Sequence, residues 1–184
     1  MRSIYIIFVL LFASQLYSQE YCAGDIISEE HQNTVFNQCY PEGCDCEDES
    51  LQVPWSLADY NGALNGGDYH VIFLDLSASW CAPCYSSIEY LDELEAYWKD
   101  RDPSVVFVTA LADIGSPYSC DQWGNAGESG SPLIVNDADE KLYSWFSDSN
   151  QQYPSFVLID HEMKVRGKPS GFYSNSNNNI CDGG

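Results

Sequence analysis

The feature that most constrains this chain is a pair of cysteines three residues apart, Trp80-Cys81-Ala82-Pro83-Cys84, set where two kinds of periodicity meet. Before it runs Val71-Ile72-Phe73-Leu74-Asp75-Leu76, a short and nearly all-apolar stretch of the kind found in a strand covered on both faces. After it Ile88, Leu91, Leu94 and Trp98 recur at helical spacing with acids between them. The pair therefore stands on a turn from a buried strand into an amphipathic helix. Two cysteines at a helix start can close a small ring or open to a dithiol with little backbone change. Free N–H groups and the helix dipole favour a thiolate on the first. The thiolate is the nucleophile of disulfide exchange, so Cys81 is expected to attack and Cys84, one turn inside, to resolve. Asp75 interrupts the apolar strand, and a carboxyl there is costly unless it has work or a partner.

The other signals place this unit in a larger α/β chain of 184 residues, enough for one domain with an appendage. Residues 105–111, after Asp102-Pro103-Ser104, read as a second strand and complete a βαβ unit. Residues 112–131 read as a long loop with at most one short helix, 133–135 as a short extended piece and 137–146 as a helix. Residues 154–159 and 163–166 read as a strand and its hairpin partner. Residues 19–52 hold Cys22, Cys39, Cys44 and Cys46 with little apolar periodicity, and are expected to form an irregular, acidic, disulfide-tied extension. The expected division is a signal peptide at 1–18, that extension at 19–52, the α/β domain at 53–170 and a flexible tail at 171–184.

Residues 4–13 are ten consecutive apolar residues behind Arg2, too few to span a bilayer as a helix, which needs about 20. They read as the core of a signal peptide, leaving an exported chain with no stable membrane anchor, in the periplasm or outside the cell. Eight cysteines agree with an oxidising compartment. Seven basic residues stand against 28 acidic ones, a balance that repels nucleic acid and anionic lipid. A bond between Cys120 and Cys181 would pin the tail. The four N-terminal cysteines could then form two further bridges in three arrangements, with Cys44 and Cys46 too close to bond each other. His31, His70 and His161 are isolated and read as surface or turn residues, so no metal site is expected.

In the stretch VIFLDLSASWCAPC, residues 71–84, the chain resembles the thioredoxin superfamily and, within it, the extracytoplasmic TlpA/ResA-like redoxins. The resemblance extends over residues 53–170. It implies a thioredoxin-like three-layer fold, a central mixed sheet flanked by helices, and protein disulfide oxidoreductase activity with no cofactor beyond the redox-active disulfide Cys81–Cys84. It implies that Asp75 handles the proton of Cys84, and that Trp80, Pro83 and a cis proline facing the disulfide meet the substrate. Tyr153-Pro154 matches that cis-proline position, and Pro132 is the alternative. Partners would be protein thiols or disulfides and an unidentified redox partner, met by a monomer. Ala82-Pro83 resembles reductase members more than oxidases. Where relatives that reduce apocytochrome c carry a glutamate, this chain has Ser87. Two other readings are a thiol peroxidase, which wants a threonine where Ala78 stands, and a copper-carrying protein of this fold, whose cysteines are usually spaced one residue wider.

Overall fold

The computed structural model describes residues 21–40, 53–128, 132–147 and 152–168. The expected signal peptide, Cys44, Cys46, Cys181 and the tail lie outside these residues. Among the described residues seven strands form one mixed sheet: β1 (Phe36–Tyr40), β2 (Val53–Trp55), β3 (Val71–Ala78), β4 (Val105–Ala112), β5 (Leu133–Asn136), β6 (Ser155–Ile159) and β7 (Val165–Gly167). Their order is β2-β1-β5-β4-β3-β6-β7. The central β5-β4-β3 strands are parallel, and β6 and β7 add antiparallel on one side as β1 and β2 do on the other. The helices are α1 (Glu29–Gln32), α2 (Gly62–Asn65), α3 (Ala82–Ser86), α4 (Ile88–Lys99), α5 (Cys120–Gly124) and α6 (Lys141–Phe146).

The middle strand β3 is buried on both faces, which is why its sequence is almost unbroken apolar. Leu74, Leu76, Val108, Val135 and Val157 face one core with Leu142, Trp145 and Phe146 of α6. On the other face Leu111, Ile134 and Trp123 pack with Ile88 and both cysteines of the 81–84 pair. A parallel partner on one side, β4, and an antiparallel one on the other, β6, leave β3 no freedom of register: Asp75 lies between Thr109 and Phe156.

The segment expected to be irregular is instead built into the fold over its described part. Residues 24–27 run beside the β7 hairpin, with Gly24 N–H donating to Val165 O, Val165 N–H to Asp25 O and Ile27 N–H to Met163 O. Tyr21 and Ile27 are buried in the α6-side core. The chain then turns through α1, capped by Ser28, and β1 joins the far edge of the sheet beside β5. Pro54 is tolerated in β2 because that strand is the outermost one.

The cysteine pairing also differs from expectation. Cys120 bonds Cys39, not Cys181, so the N-terminal cysteines do not close two bridges among themselves. Cys22 is disulfide-bonded as well. The Cys39–Cys120 bond joins β1 to the first residue of α5 across 81 positions of sequence. A loop of that length gives the cross-link a stabilising contribution of roughly 3–5 kcal/mol through the unfolded chain. It holds α5 against β1, where Gly124 lies so close to the Tyr40 ring that an added Cβ would come within 2.6 Å of it.

Candidate active site

Cys81 and Cys84 form a disulfide at the point where β3 passes into α3. Cys81 is the N-cap of α3, and its Sγ accepts the Cys84 backbone N–H at 3.2 Å. Pro83 falls in the first helical turn, where its missing N–H costs nothing because that group would have no intrahelical partner. Once the disulfide opens, the same N–H stabilises negative charge on the Cys81 sulfur. Both cysteines are buried in the closed form. The helix breaks at Ser87, whose hydroxyl donates to Cys84 O at 2.7 Å before α4 begins.

The loop approaching Cys81 is held by Ser79, a fully buried residue. Its hydroxyl donates to Tyr118 O and accepts from Tyr118 N–H, both at 2.9 Å. Tyr118 in turn stacks on Tyr85 of α3 with ring centroids 4.1 Å apart. This latch fixes the 114–119 loop, which contains a second cis bond at Ser116-Pro117, against the start of α3. Sequence reasoning gave Ser79 no role; a small polar residue at the end of an apolar strand was the available signal.

Asp75 is 4% exposed in the middle of β3. Ser77 Oγ donates to its Oδ1 at 2.8 Å and Thr109 Oγ1 to its Oδ2 at 3.3 Å. Burial pushes its pKa up from the usual 3.8 to about 7, against the opposing pull of these two hydrogen bonds. The carboxyl lines a small cavity with Ile88, Leu91, Thr109 and Trp123. Ile88 also belongs to the apolar cluster that holds Cys84, so Asp75 and Cys84 share the α4-covered side of the sheet. Among the described residues no basic side chain neutralises Asp75; it is kept by two hydroxyls, which leaves it able to take and release a proton near neutrality.

Tyr153-Pro154 is a cis bond, and it leads into β6 beside β3. The Tyr153 ring meets Trp80 edge to face at 5.6 Å and stacks on Tyr143 at 4.2 Å. Its hydroxyl donates to Glu140 Oε1 at 3.2 Å, and burial, then the Glu140 charge, raises the pKa of the phenol. Trp80 donates from Nε1 to Asp113 Oδ2 at 2.7 Å. The fold thus gathers Trp80, Cys81, Pro83, Cys84, Tyr153 and Pro154 with Asp75 behind them. Asp113, Glu140, Ser77, Thr109 and Tyr143 join them without having been singled out from sequence. Cys39 and Cys120 pack against the same cluster as the 81–84 pair, while α5 sets Trp123 over the Asp75 cavity.

The histidines stand elsewhere. His31 stacks on Trp145 at 4.1 Å and meets the Tyr21 hydroxyl at 2.8 Å, His70 lies edge-on to Tyr60, and His161 lies edge-on to Tyr69. Among the described residues no three His, Cys, Asp or Glu side chains gather as a metal-ligand set.

No family model matches the chain, and no curated protein matches it. Solved structures do. Mycobacterium tuberculosis DsbF, in mixed oxidised and reduced forms, aligns with a TM-score of 0.57 at 14% identity, covering 80% of this chain and 91% of that one. A secreted M. tuberculosis disulfide oxidoreductase homologous to E. coli DsbE aligns at 0.54 and 15% identity, covering 82% and 92%. The exposed lipoprotein thioredoxin Etrx1 of Streptococcus pneumoniae aligns at 0.51 and 20% identity, covering 77% and 92%. With the sheet order and the helices flanking it, these likenesses establish that the chain has the thioredoxin-like α/β fold of the thiol-disulfide oxidoreductases.

Proposed function

We propose that this protein is a thiol-disulfide oxidoreductase that exchanges disulfides with protein substrates through Cys81 and Cys84, working in the reducing direction. The observation that carries the reading is the Cys81–Cys84 disulfide at a helix start, its first sulfur receiving the Cys84 N–H, with a buried carboxyl of pKa about 7 behind it. In the reduced protein the Cys81 thiolate attacks one sulfur of a substrate disulfide. A Cys81–substrate bond forms and the other substrate sulfur leaves as a thiolate. Asp75 takes the Cys84 proton, directly or through a water in its cavity, and the Cys84 thiolate then attacks Cys81 Sγ. The ring closes, the second substrate thiolate departs, and two electrons have passed from the protein to the substrate. An external dithiol of a redox partner must restore the reduced pair.

The reducing direction is supported by Ala82-Pro83 between the cysteines and by the resemblance to reductase members. The pair itself is the redox group, and a monomer suffices for the chemistry. Export is supported by the apolar run at 4–13, by the disulfides outside the 81–84 pair and by the secreted and exposed neighbours of the same fold. No helix among the described residues is long and apolar enough to cross a membrane.

The test is stoichiometric. Reduced protein, freed of small thiols, is mixed with a peptide closed by one disulfide, and the products are trapped by alkylation and weighed. One peptide disulfide opened for each Cys81–Cys84 pair closed is the expected result. Peptide left oxidised beside a protein that stays reduced would defeat the proposal.

A further inference from the structure

Four side chains run as one connected strip past the Cys81–Cys84 disulfide. Asp113 accepts the Trp80 indole N–H, Trp80 meets Tyr153 edge to face, and Tyr153 donates its hydroxyl to Glu140. Trp80 is 55% exposed, a large apolar surface left open directly before the first cysteine. It does not swing freely, because Asp113 holds one end and the Tyr153 ring flanks the other. Asp113 and Glu140 are exposed, and each commits one carboxylate oxygen to the strip and keeps the second. Both have positive φ, 54° and 52°, so each loop holds its acid in a conformation that side chains rarely adopt. Among the described residues neither is in an ion pair.

We propose that this strip, lying on the surface where the family resemblance has substrate meet Trp80 and the cis proline, selects polypeptides carrying lysine or arginine beside the disulfide they present. The inference rests on the thiol-disulfide reading and adds the class of substrate. The open face of Trp80 takes the peptide and the aliphatic stem or charge of its basic residue, as aromatic faces do. The free oxygens of Asp113 and Glu140 stand at the two ends to pair with that charge. An acidic segment would meet like charge at both ends. The chain as a whole, with 28 acidic against seven basic residues, draws cationic partners toward the same surface.

The test uses the reduced full chain and two synthetic peptides, each closed by one disulfide and differing only in lysine or glutamate beside the cysteines. The lysine peptide is expected to be reduced about tenfold faster at low ionic strength, with the ratio shrinking in about 1 M salt, where the screening length falls to about 3 Å. A protein carrying Asp113→Asn and Glu140→Gln keeps acceptor oxygens for Trp80 and Tyr153 but loses the two local charges. In it the ratio is expected to fall to about a third of the wild-type ratio or less. Those charges are only two of the chain's 28 acids, so an undiminished ratio would assign the preference to the overall field and overturn this site. Equal rates in the wild-type protein would overturn it as well. A wild-type protein that reduces neither peptide would overturn the thiol-disulfide reading beneath it.

Discussion

Replacing Cys81 with serine is expected to abolish disulfide reduction, a loss of about three orders of magnitude or more, whereas Cys84→Ser is expected to halt the reaction half-way. The asymmetry comes from where the two sulfurs sit. Cys81 caps the helix and receives a backbone N–H, so its thiolate is the stabilised one; Cys84 lies one turn inside, with its own N–H pointed at its partner. Without Cys81 no mixed disulfide forms. Without Cys84 it forms and cannot be resolved, so the Cys84→Ser protein should accumulate covalently bound substrate. Non-reducing electrophoresis and mass measurement of the trapped adduct read both results. A Cys84→Ser protein that accumulates nothing, beside a Cys81→Ser protein that does, would reverse the assignment.

The second large effect belongs to Asp75, and it has two signatures. As the base for Cys84, the ionised carboxylate should make the resolving step faster as pH rises through about 7. Asp75→Asn should remove that rise and slow resolution by about a hundredfold, the usual scale for a positioned proton acceptor. The stability effect has the opposite sign to that of an ordinary paired aspartate. The folded protein holds the Asp75 proton up to about pH 7, while the unfolded chain releases it near 3.8. Over that window the folded state binds more protons, so stability falls as pH rises and levels off above it. The full loss is about 4 kcal/mol by linkage. Denaturant titrations at pH 4.5 and pH 8, conditions on the order of those bounding the window, should show the wild type losing stability and Asp75→Asn losing far less. Equal losses in the two proteins, with unchanged pH dependence of resolution, would remove Asp75 from the mechanism.

The parts of this site legible in the sequence are those made by neighbours in sequence. The apolar run of β3, the acid inside it, the two cysteines and the periodic acids and leucines of α4 all lie within residues 71–98, and the one distant part named in advance, the cis bond at Tyr153-Pro154, came from the family resemblance. What escaped was made by distance. In β1 the sequence Phe36-Asn37-Gln38-Cys39-Tyr40 shows no clean alternation, and its place comes from pairing with β5 nearly a hundred residues on. The Cys39–Cys120 bond was hidden for the same reason, since six cysteines outside the 81–84 pair permit about 15 complete pairings and spacing does not choose among them. Thr109 becomes a partner of Asp75 only through the parallel register of β3 and β4. Asp113 and Glu140 carry no local mark among so many acids; only the fold sets them at the ends of the Trp80–Tyr153 contact.

The most direct measurement is the reduction potential of the Cys81–Cys84 pair in the full chain. The protein is equilibrated in glutathione or dithiothreitol buffers, quenched with an alkylating mass tag and mapped by peptide. The expected result is a reversible two-electron transition of this pair near that of thioredoxin, about −270 mV, while Cys39–Cys120 stays closed. A Cys81–Cys84 bond that stays closed below about −300 mV, as structural disulfides do, would contradict the redox role of the pair.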